Sequence, residues 1–138
     1  MLGQVDHIAL AVSDLEAAIE FYTEVWGLPL AHREVVEEQG VEEAMFAIGE
    51  SYIQLLAPLG PDTSVGRYIE KKGEGLHHIA YRVSDINGEL DRLKAAGVSL
   101  IDETPRRGSR NTRIAFVHPK GNRGVLVELV ELDEKREG

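Results

Sequence analysis

Two histidines lie at matching positions in two copies of one short motif. The segment DHIALAVSD at residues 6–14 recurs at residues 77–85 as HHIAYRVSD, which pairs His7 with His78. Each copy reads as a strand, and successive side chains on a strand point to opposite faces. Both imidazoles therefore fall on the face that carries alanine, whereas His77 falls on the aliphatic face. A single histidine on a strand is more often structural, but the matched pair favours two nitrogen ligands in a cavity.

A second matched pair of polar residues lies in the last predicted strand of each copy. The segment YIQLL at residues 52–56 aligns with LVELV at residues 126–130, which pairs Gln54 with Glu128. A polar side chain within so apolar a strand costs free energy unless it has a partner. One site shared with the two histidines would supply that partner. The alternative is that both side chains face solvent from an edge strand.

The four donors together suit a metal centre that takes part in catalysis. Two imidazoles, an amide oxygen and a carboxylate form a mixed nitrogen and oxygen set, which suits an octahedral first-row ion with two positions left for water or substrate. Structural zinc instead favours a closed cage rich in cysteine, and this chain has no cysteine. The sequence therefore indicates a metal site formed by His7, Gln54, His78 and Glu128.

Each copy of the motif begins a similar series of predicted elements. An amphipathic helix follows the first strand and ends at a glycine, Gly27 or Gly97, as a left-handed C-terminal cap prefers. Ser13 followed by Glu16 has the form of a capping box at the start of the first helix. Three shorter strands are then predicted in each copy, near residues 30–36, 43–48 and 52–57, and near residues 99–102, 113–118 and 125–131.

This order of elements predicts an α+β fold of two tandem βαβββ modules. The modules cover about residues 4–59 and about residues 75–132 of one domain, residues 1–138. The connection between them is expected to contain a short helix over residues 65–72. Residues 106–111, which are rich in arginine, glycine and serine, are predicted to form a loop.

Composition and charge exclude several classes of function. The 138 residues are 43% hydrophobic and 28% charged, as in an ordinary single globular domain. A net charge of −9 argues against a nucleic-acid surface. The absence of cysteine excludes disulfides and thiol nucleophiles. No apolar run is long enough for a membrane span, and no signal peptide is evident, so the expected location is the cytoplasm, with no membrane or nucleic-acid partner.

Segments along nearly the whole chain resemble the vicinal-oxygen-chelate superfamily, which includes glyoxalase I and the extradiol dioxygenases. Within it, the chain is most similar to the methylmalonyl-CoA epimerase family. The segments that carry the resemblance are DHIA at 6–9, EQGVEE at 38–43, QLLAPL at 54–59, GLHHIA at 75–80, HPK at 118–120 and GVLVEL at 124–129. The resemblance implies that the modules form a cupped mixed sheet around a metal, with its ligands on the same four residues that the repeat selects.

For function, the resemblance implies an isomerase that interconverts the two configurations at C2 of methylmalonyl-CoA. The reaction would proceed by metal-assisted removal of a proton through an enolate. The family's base falls on Glu43, and the alternative is a solvated carboxylate in the surrounding acidic cluster. The resemblance also implies one divalent ion per chain, with Co²⁺ as the ion that the family suggests and Mn²⁺, Ni²⁺ or Zn²⁺ as alternatives.

The expected partners are an acyl-CoA thioester and a second copy of the chain in a homodimer. Arg107, Arg110 and Lys120 are candidate contacts of the CoA phosphates, and a solvated basic loop is the alternative. Two other functions fit the same fold. A glyoxalase I-like lyase or isomerase would more often have glutamate where this chain has Gln54. A metal-free small-molecule-binding protein of the drug-resistance type would lack the ligands.

Overall fold

The computed structural model describes residues 1–133, which form eight strands and three α-helices. Three short 3-10 turns lie at Glu37–Gln39, Ser109–Asn111 and Pro119–Gly121. In this part of the chain no helix is long and apolar enough to cross a membrane. In chain order the elements are β1 (Leu2–Ala11), α1 (Leu15–Glu24), β2 (Leu30–Val36), β3 (Val41–Ile48), β4 (Ser51–Pro58), α2 (Ser64–Lys72), β5 (Gly75–Val83), α3 (Ile86–Ala95), β6 (Arg106–Arg107), β7 (Thr112–Val117) and β8 (Val127–Leu132).

The chain divides into two compact units with the same internal arrangement of strands. One unit comprises residues 7–77, and the other comprises residues 1–6 together with the chain from residue 78 onward. In the first unit β1 pairs in parallel with β4, and β3 and β2 follow as antiparallel neighbours. In the second unit β5 pairs in parallel with β8, and β7 and β6 follow in the same way.

The predicted α+β class, with mixed strand directions and two tandem βαβββ modules, is confirmed by this arrangement. The helix predicted over residues 65–72 is also present, as α2. The single domain over residues 1–138 stays a prediction, and residues 134–138 of it lie outside the described part.

An aspartate caps the first helix of each module at its N-terminus. The Asp14 carboxylate accepts a hydrogen bond from Ala17 N at 3.1 Å, and the Asp85 carboxylate accepts one from Gly88 N at 3.1 Å. Each cap satisfies a backbone donor that has no partner within the helix and contributes about 1 kcal/mol. The capping box predicted at Ser13 is therefore wrong by one residue, because Asp14 holds the cap position.

In each unit a helix, α1 or α3, covers one face of the strands with apolar side chains. Each large side chain that becomes fully buried there contributes roughly 1.5–3 kcal/mol. Because strand side chains alternate, the residues between these positions point to the opposite face, and Gln54 and Glu128 are among them. The clusters are Leu15, Ala44, Phe46, Leu55 and Ala57 around α1, and Val83, Ile86, Leu90, Ala115, Val117, Val127 and Leu129 around α3.

The second module departs from the prediction in its first short strand. Residues 99–102 form no strand, and only an isolated bridge joins Leu100 to Val117. Phe116 N donates a hydrogen bond to the Asp102 carboxylate at 2.8 Å. This backbone N–H is therefore bonded to a side chain rather than to the backbone of a neighbouring strand. The paired edge strand is instead β6, within the stretch that was predicted to be a loop.

Candidate active site

The strand register places the two matched polar pairs at equivalent positions in their units. Gln54 on β4 is opposite the alanine that lies two residues after His7. Glu128 on β8 is opposite the alanine that lies two residues after His78. All four side chains are buried. The repeat in the sequence is therefore also a repeat in strand register. Each unit has one imidazole and one oxygen donor on the strand face opposite α1 or α3, and in the first unit Val65 of α2 packs against part of that face.

His78 and Glu128 come close together inside the second unit. The distance between His78 Nε2 and Glu128 Oε1 is 3.6 Å, which is too long for a hydrogen bond. Two atoms that bind one first-row ion at about 2.1 Å are themselves roughly 3 to 3.6 Å apart. The Phe116 ring stands edge-on to the imidazole, with 5.4 Å between the ring centroids. This buried pair could therefore hold a metal ion without rearrangement.

Gln54 and Glu43 form a buried pair inside the first unit. Gln54 Nε2 donates a hydrogen bond to Glu43 Oε2 at 2.5 Å. In the reverse orientation, the amide oxygen of Gln54 would lie against a carboxylate oxygen of Glu43, and the two oxygens would repel. The carboxylate therefore selects the orientation in which the amide nitrogen faces it. Within residues 1–133, no group donates a hydrogen bond to Gln54 Oε1, although this oxygen is buried. A buried acceptor without a donor is costly, and ligation of a cation would remove that cost.

Glu43 is placed where a base can be held out of water. It lies on β3 and is 2% exposed, so the alternative of a solvated surface carboxylate is wrong. Its neighbour Glu42 points the other way and accepts a hydrogen bond from Arg33 Nε at 2.9 Å at the surface. On the edge strand β2, His32 Nε2 lies 3.7 Å from Glu43 Oε1 and 2.7 Å from Glu34 Oε1. The involvement of His32 and Glu34 was not predicted from the sequence.

A buried charged cluster around Asp6 was also missed. Its Oδ1 accepts hydrogen bonds from Arg82 Nε at 3.0 Å and Nη2 at 2.7 Å. Its Oδ2 accepts one from Arg110 Nη2 at 2.7 Å. These bonds tie the turn at Ser109–Asn111 to the first residues of the chain. The sequence offers only a weak signal for this cluster. Asp6 directly precedes the candidate ligand His7, and the second copy of the motif has Arg82 where the first has Ala11.

The candidate phosphate contacts have different surroundings. Arg110 is engaged by Asp6, whereas Arg107 is exposed and its Nη2 donates to Asn111 Oδ1 at 2.7 Å. Lys120 lies in the 3-10 turn Pro119–Gly121. Contact of these three residues with the phosphates of CoA stays a prediction.

Known proteins resemble the chain over nearly its whole length. The family model described as the glyoxalase/bleomycin resistance protein/dioxygenase superfamily matches residues 6–116. An ethylmalonyl-CoA/methylmalonyl-CoA epimerase from Cereibacter sphaeroides is 36% identical over 134 residues, which cover 96% of this chain and 100% of the relative.

Solved structures agree with the sequence comparison. Methylmalonyl-CoA epimerase from Mycobacterium tuberculosis superposes with a TM-score of 0.94 at 42% identity, covering 99% of this chain and 92% of its own. A methylmalonyl-CoA epimerase in complex with methylmalonyl-CoA and NH₄⁺ superposes with a TM-score of 0.93 at 45% identity, covering 96% of each chain. The chain therefore belongs to the glyoxalase/bleomycin resistance protein/dioxygenase superfamily and, within it, to the methylmalonyl-CoA epimerase family.

Proposed function

We propose that this protein interconverts the two configurations at C2 of methylmalonyl-CoA. The observation that carries the proposal is the buried Glu43 carboxylate, fixed by the amide of Gln54. Likeness at 45% identity to an epimerase solved with methylmalonyl-CoA supports the same substrate. The enzyme is accordingly an epimerase, and it carries out one proton removal and one proton return in each turnover.

Glu43 would act on the hydrogen at C2, which lies between a thioester and a carboxylate. When Glu43 takes this proton, the electron pair of the C–H bond passes into the thioester group and gives an enolate. A second acid then delivers a proton to the opposite face of C2 and inverts the configuration, and Glu43 releases the proton that it took to water, so the overall reaction gains and loses one proton. A positioned general base contributes roughly 10²–10⁴-fold to such a reaction. When bound, a divalent ion would supply Lewis-acid stabilisation of the negative charge, worth several kcal/mol.

Gln54 would position the base as well as serve the metal. Its Nε2 donates to one oxygen of Glu43, which limits rotation of the carboxylate and leaves the other oxygen to meet the proton. Its Oε1 has no hydrogen-bond donor within residues 1–133 and can act as an oxygen ligand. One side chain thus fixes the base and offers a ligand atom at opposite ends of the same amide.

We infer that one divalent ion per chain is held by His7, Gln54, His78 and Glu128. Support comes from their equivalent register positions, the spacing of His78 and Glu128, and the buried oxygen of Gln54. Imidazole, amide and carboxylate donors suit Co²⁺, the ion that the family suggests, and also Mn²⁺, Ni²⁺ or Zn²⁺.

An assay with a single enantiomer of methylmalonyl-CoA tests the proposed reaction. Cobalt-loaded protein is expected to racemise the substrate and, in deuterated water, to introduce deuterium at C2. Chiral separation and mass spectrometry measure the two outcomes. The hemithioacetal of methylglyoxal and glutathione serves as the control substrate, on which we expect no turnover. Turnover of the hemithioacetal with no deuterium at C2 of methylmalonyl-CoA would favour the lyase alternative and overturn the proposal.

We also propose that the chain acts as a cytoplasmic homodimer. Members of the resembled family at this size tend to pair, and a small chain gains buried surface by association. An exposed apolar patch supports an interface, because Phe21, Val25 and Trp26 at the end of α1 are 49%, 66% and 64% exposed. Light scattering at micromolar concentration is expected to give twice the mass of one chain. A mass equal to that of one chain would contradict the dimer.

A further inference from the structure

Three possible metal ligands outside the inferred metal set converge where β2 meets β3. One ligand atom of each of His32, Glu34 and Glu43 lies within 4.8 Å of the other two. His32 Nε2 and Glu34 Oε1 are hydrogen-bonded at 2.7 Å, so a bound ion would replace this hydrogen bond and move the two atoms apart. His32 Nε2 lies 3.7 Å from Glu43 Oε1. All three residues belong to the unit of residues 7–77, so the cluster is complete within one compact unit.

The strand register explains why these side chains meet. Glu34 on β2 is directly opposite Glu43 on β3, and the register shift between Leu30 and His32 precedes this pair. His32 lies two residues before Glu34 and therefore shares its face of the strand. Two carboxylates directly opposite each other on neighbouring strands repel, and one of these two is buried. A positive charge between them would relieve that repulsion.

We propose that His32, Glu34 and Glu43 form a second cation site, which takes a divalent ion such as Zn²⁺. One imidazole and two carboxylates are a donor set that Zn²⁺ accepts, with water in the remaining position. The side chains of His32 and Glu34 are 32% and 37% exposed, so an ion can enter from solvent. Glu43 forms the buried end of the site, and its Oε2 stays bonded to Gln54 while Oε1 takes the ion.

Occupation of this site would switch the enzyme off. An ion on Glu43 Oε1 and the Gln54 amide on Oε2 engage both oxygens and draw electron density from the carboxylate, which makes it a much weaker base. This consequence rests on the proposed role of Glu43, whereas ion binding itself does not. The site therefore makes the enzyme sensitive to excess zinc. The alternative is that the hydrogen bond between His32 Nε2 and Glu34 Oε1 is kept, in which case no ion binds.

Zinc stoichiometry tests the site without reference to activity. Tag-free protein is stripped of metal and equilibrated with Zn²⁺, and the bound ion is measured by calorimetry and elemental analysis. The chain has no cysteine, so thiolates do not add to the count. We expect the parent to bind two ions per chain. His32→Ala should bind only one ion, or should bind the second at least tenfold more weakly than the parent does. His118→Ala, which removes an exposed histidine, should still bind two.

Equal zinc stoichiometry and affinity in the parent and His32→Ala would overturn the site. Glu34→Gln provides a second variant at the surface and should also weaken the second ion at least tenfold. Loss of the second ion in these variants supports the site even if the protein does not epimerise methylmalonyl-CoA, so failure of the proposed function is distinguished from failure of the site.

Inhibition by zinc tests the proposed consequence. Zinc added to cobalt-loaded parent should abolish epimerisation over the concentration range in which the second ion binds. Each variant is compared with its own zinc-free rate, and half-inhibition of His32→Ala should require at least tenfold more zinc. Half-inhibition of the parent and His32→Ala at the same zinc concentration would contradict the inhibitory role.

Discussion

Replacement of Glu43 by glutamine is expected to lower epimerisation by roughly 10²–10⁴-fold while the chain keeps its metal. Glutamine has nearly the same shape and can still form a hydrogen bond with Gln54, but it cannot accept the proton of C2. Glu43 is not among the four inferred ligands of the first ion, so the content of cobalt at that site should not change. The rate is measured with one enantiomer of methylmalonyl-CoA, and the metal by elemental analysis of the same preparation.

Deuterium exchange sharpens the test of Glu43. A group on the opposite face of C2 could still exchange the proton of one enantiomer, so exchange from that enantiomer should outlast inversion. Glu42→Gln is the matched control, because Glu42 lies on the other face of β3 and pairs with Arg33 at the surface. It should retain most of the activity. Near-normal epimerisation by metal-loaded Glu43→Gln would assign the proton transfer to another residue.

Replacement of His78 by alanine is expected to remove the tightly bound metal and, with it, nearly all activity. The buried imidazole lies 3.6 Å from Glu128 Oε1, and its loss would leave three of the four inferred ligands. The purified parent should contain about one ion per chain, in line with the inferred site, whereas His78→Ala should contain almost none after dialysis. Circular dichroism of both proteins checks that the fold is retained.

His77→Ala is the adjacent control for the metal site. His77 is half-buried and packs edge-on against Tyr68, with 4.8 Å between the ring centroids, so its loss should leave the metal in place. The two substitutions remove the same side chain from neighbouring positions on one strand. Equal metal content in both variants would show that the ion is bound elsewhere.

The positions of the matched polar residues could be predicted because they depend on local periodicity. Alternation along β1 and β5 separates His78 from His77, and the repeat pairs Gln54 with Glu128 before any contact is known. The structure confirms these positions in strand register. That the four residues share one ion stays a prediction, because a sequence shows faces and spacing but not the distances between ligand atoms.

Contacts between distant residues could not be predicted in this way. The hydrogen bonds that Arg82 and Arg110 donate to Asp6 join residues 76 and 104 positions apart, and no local sequence pattern indicates them. The edge strand β6 has two exposed residues, too few for an alternating pattern. Ser13 and Asp14 are both good caps, and backbone geometry rather than residue type selects Asp14.

The hydrogen bond from Gln54 to Glu43 constrains how this site could evolve. Glutamate at position 54, which glyoxalase I more often has there, would set a second carboxylate where Nε2 now lies 2.5 Å from Glu43 Oε2. Two carboxylates that close cannot both be ionised, so the base and the ligand would compete for one proton. Mutations at the two positions would therefore be epistatic. An exchange of this chemistry for another would therefore be expected to change both residues together.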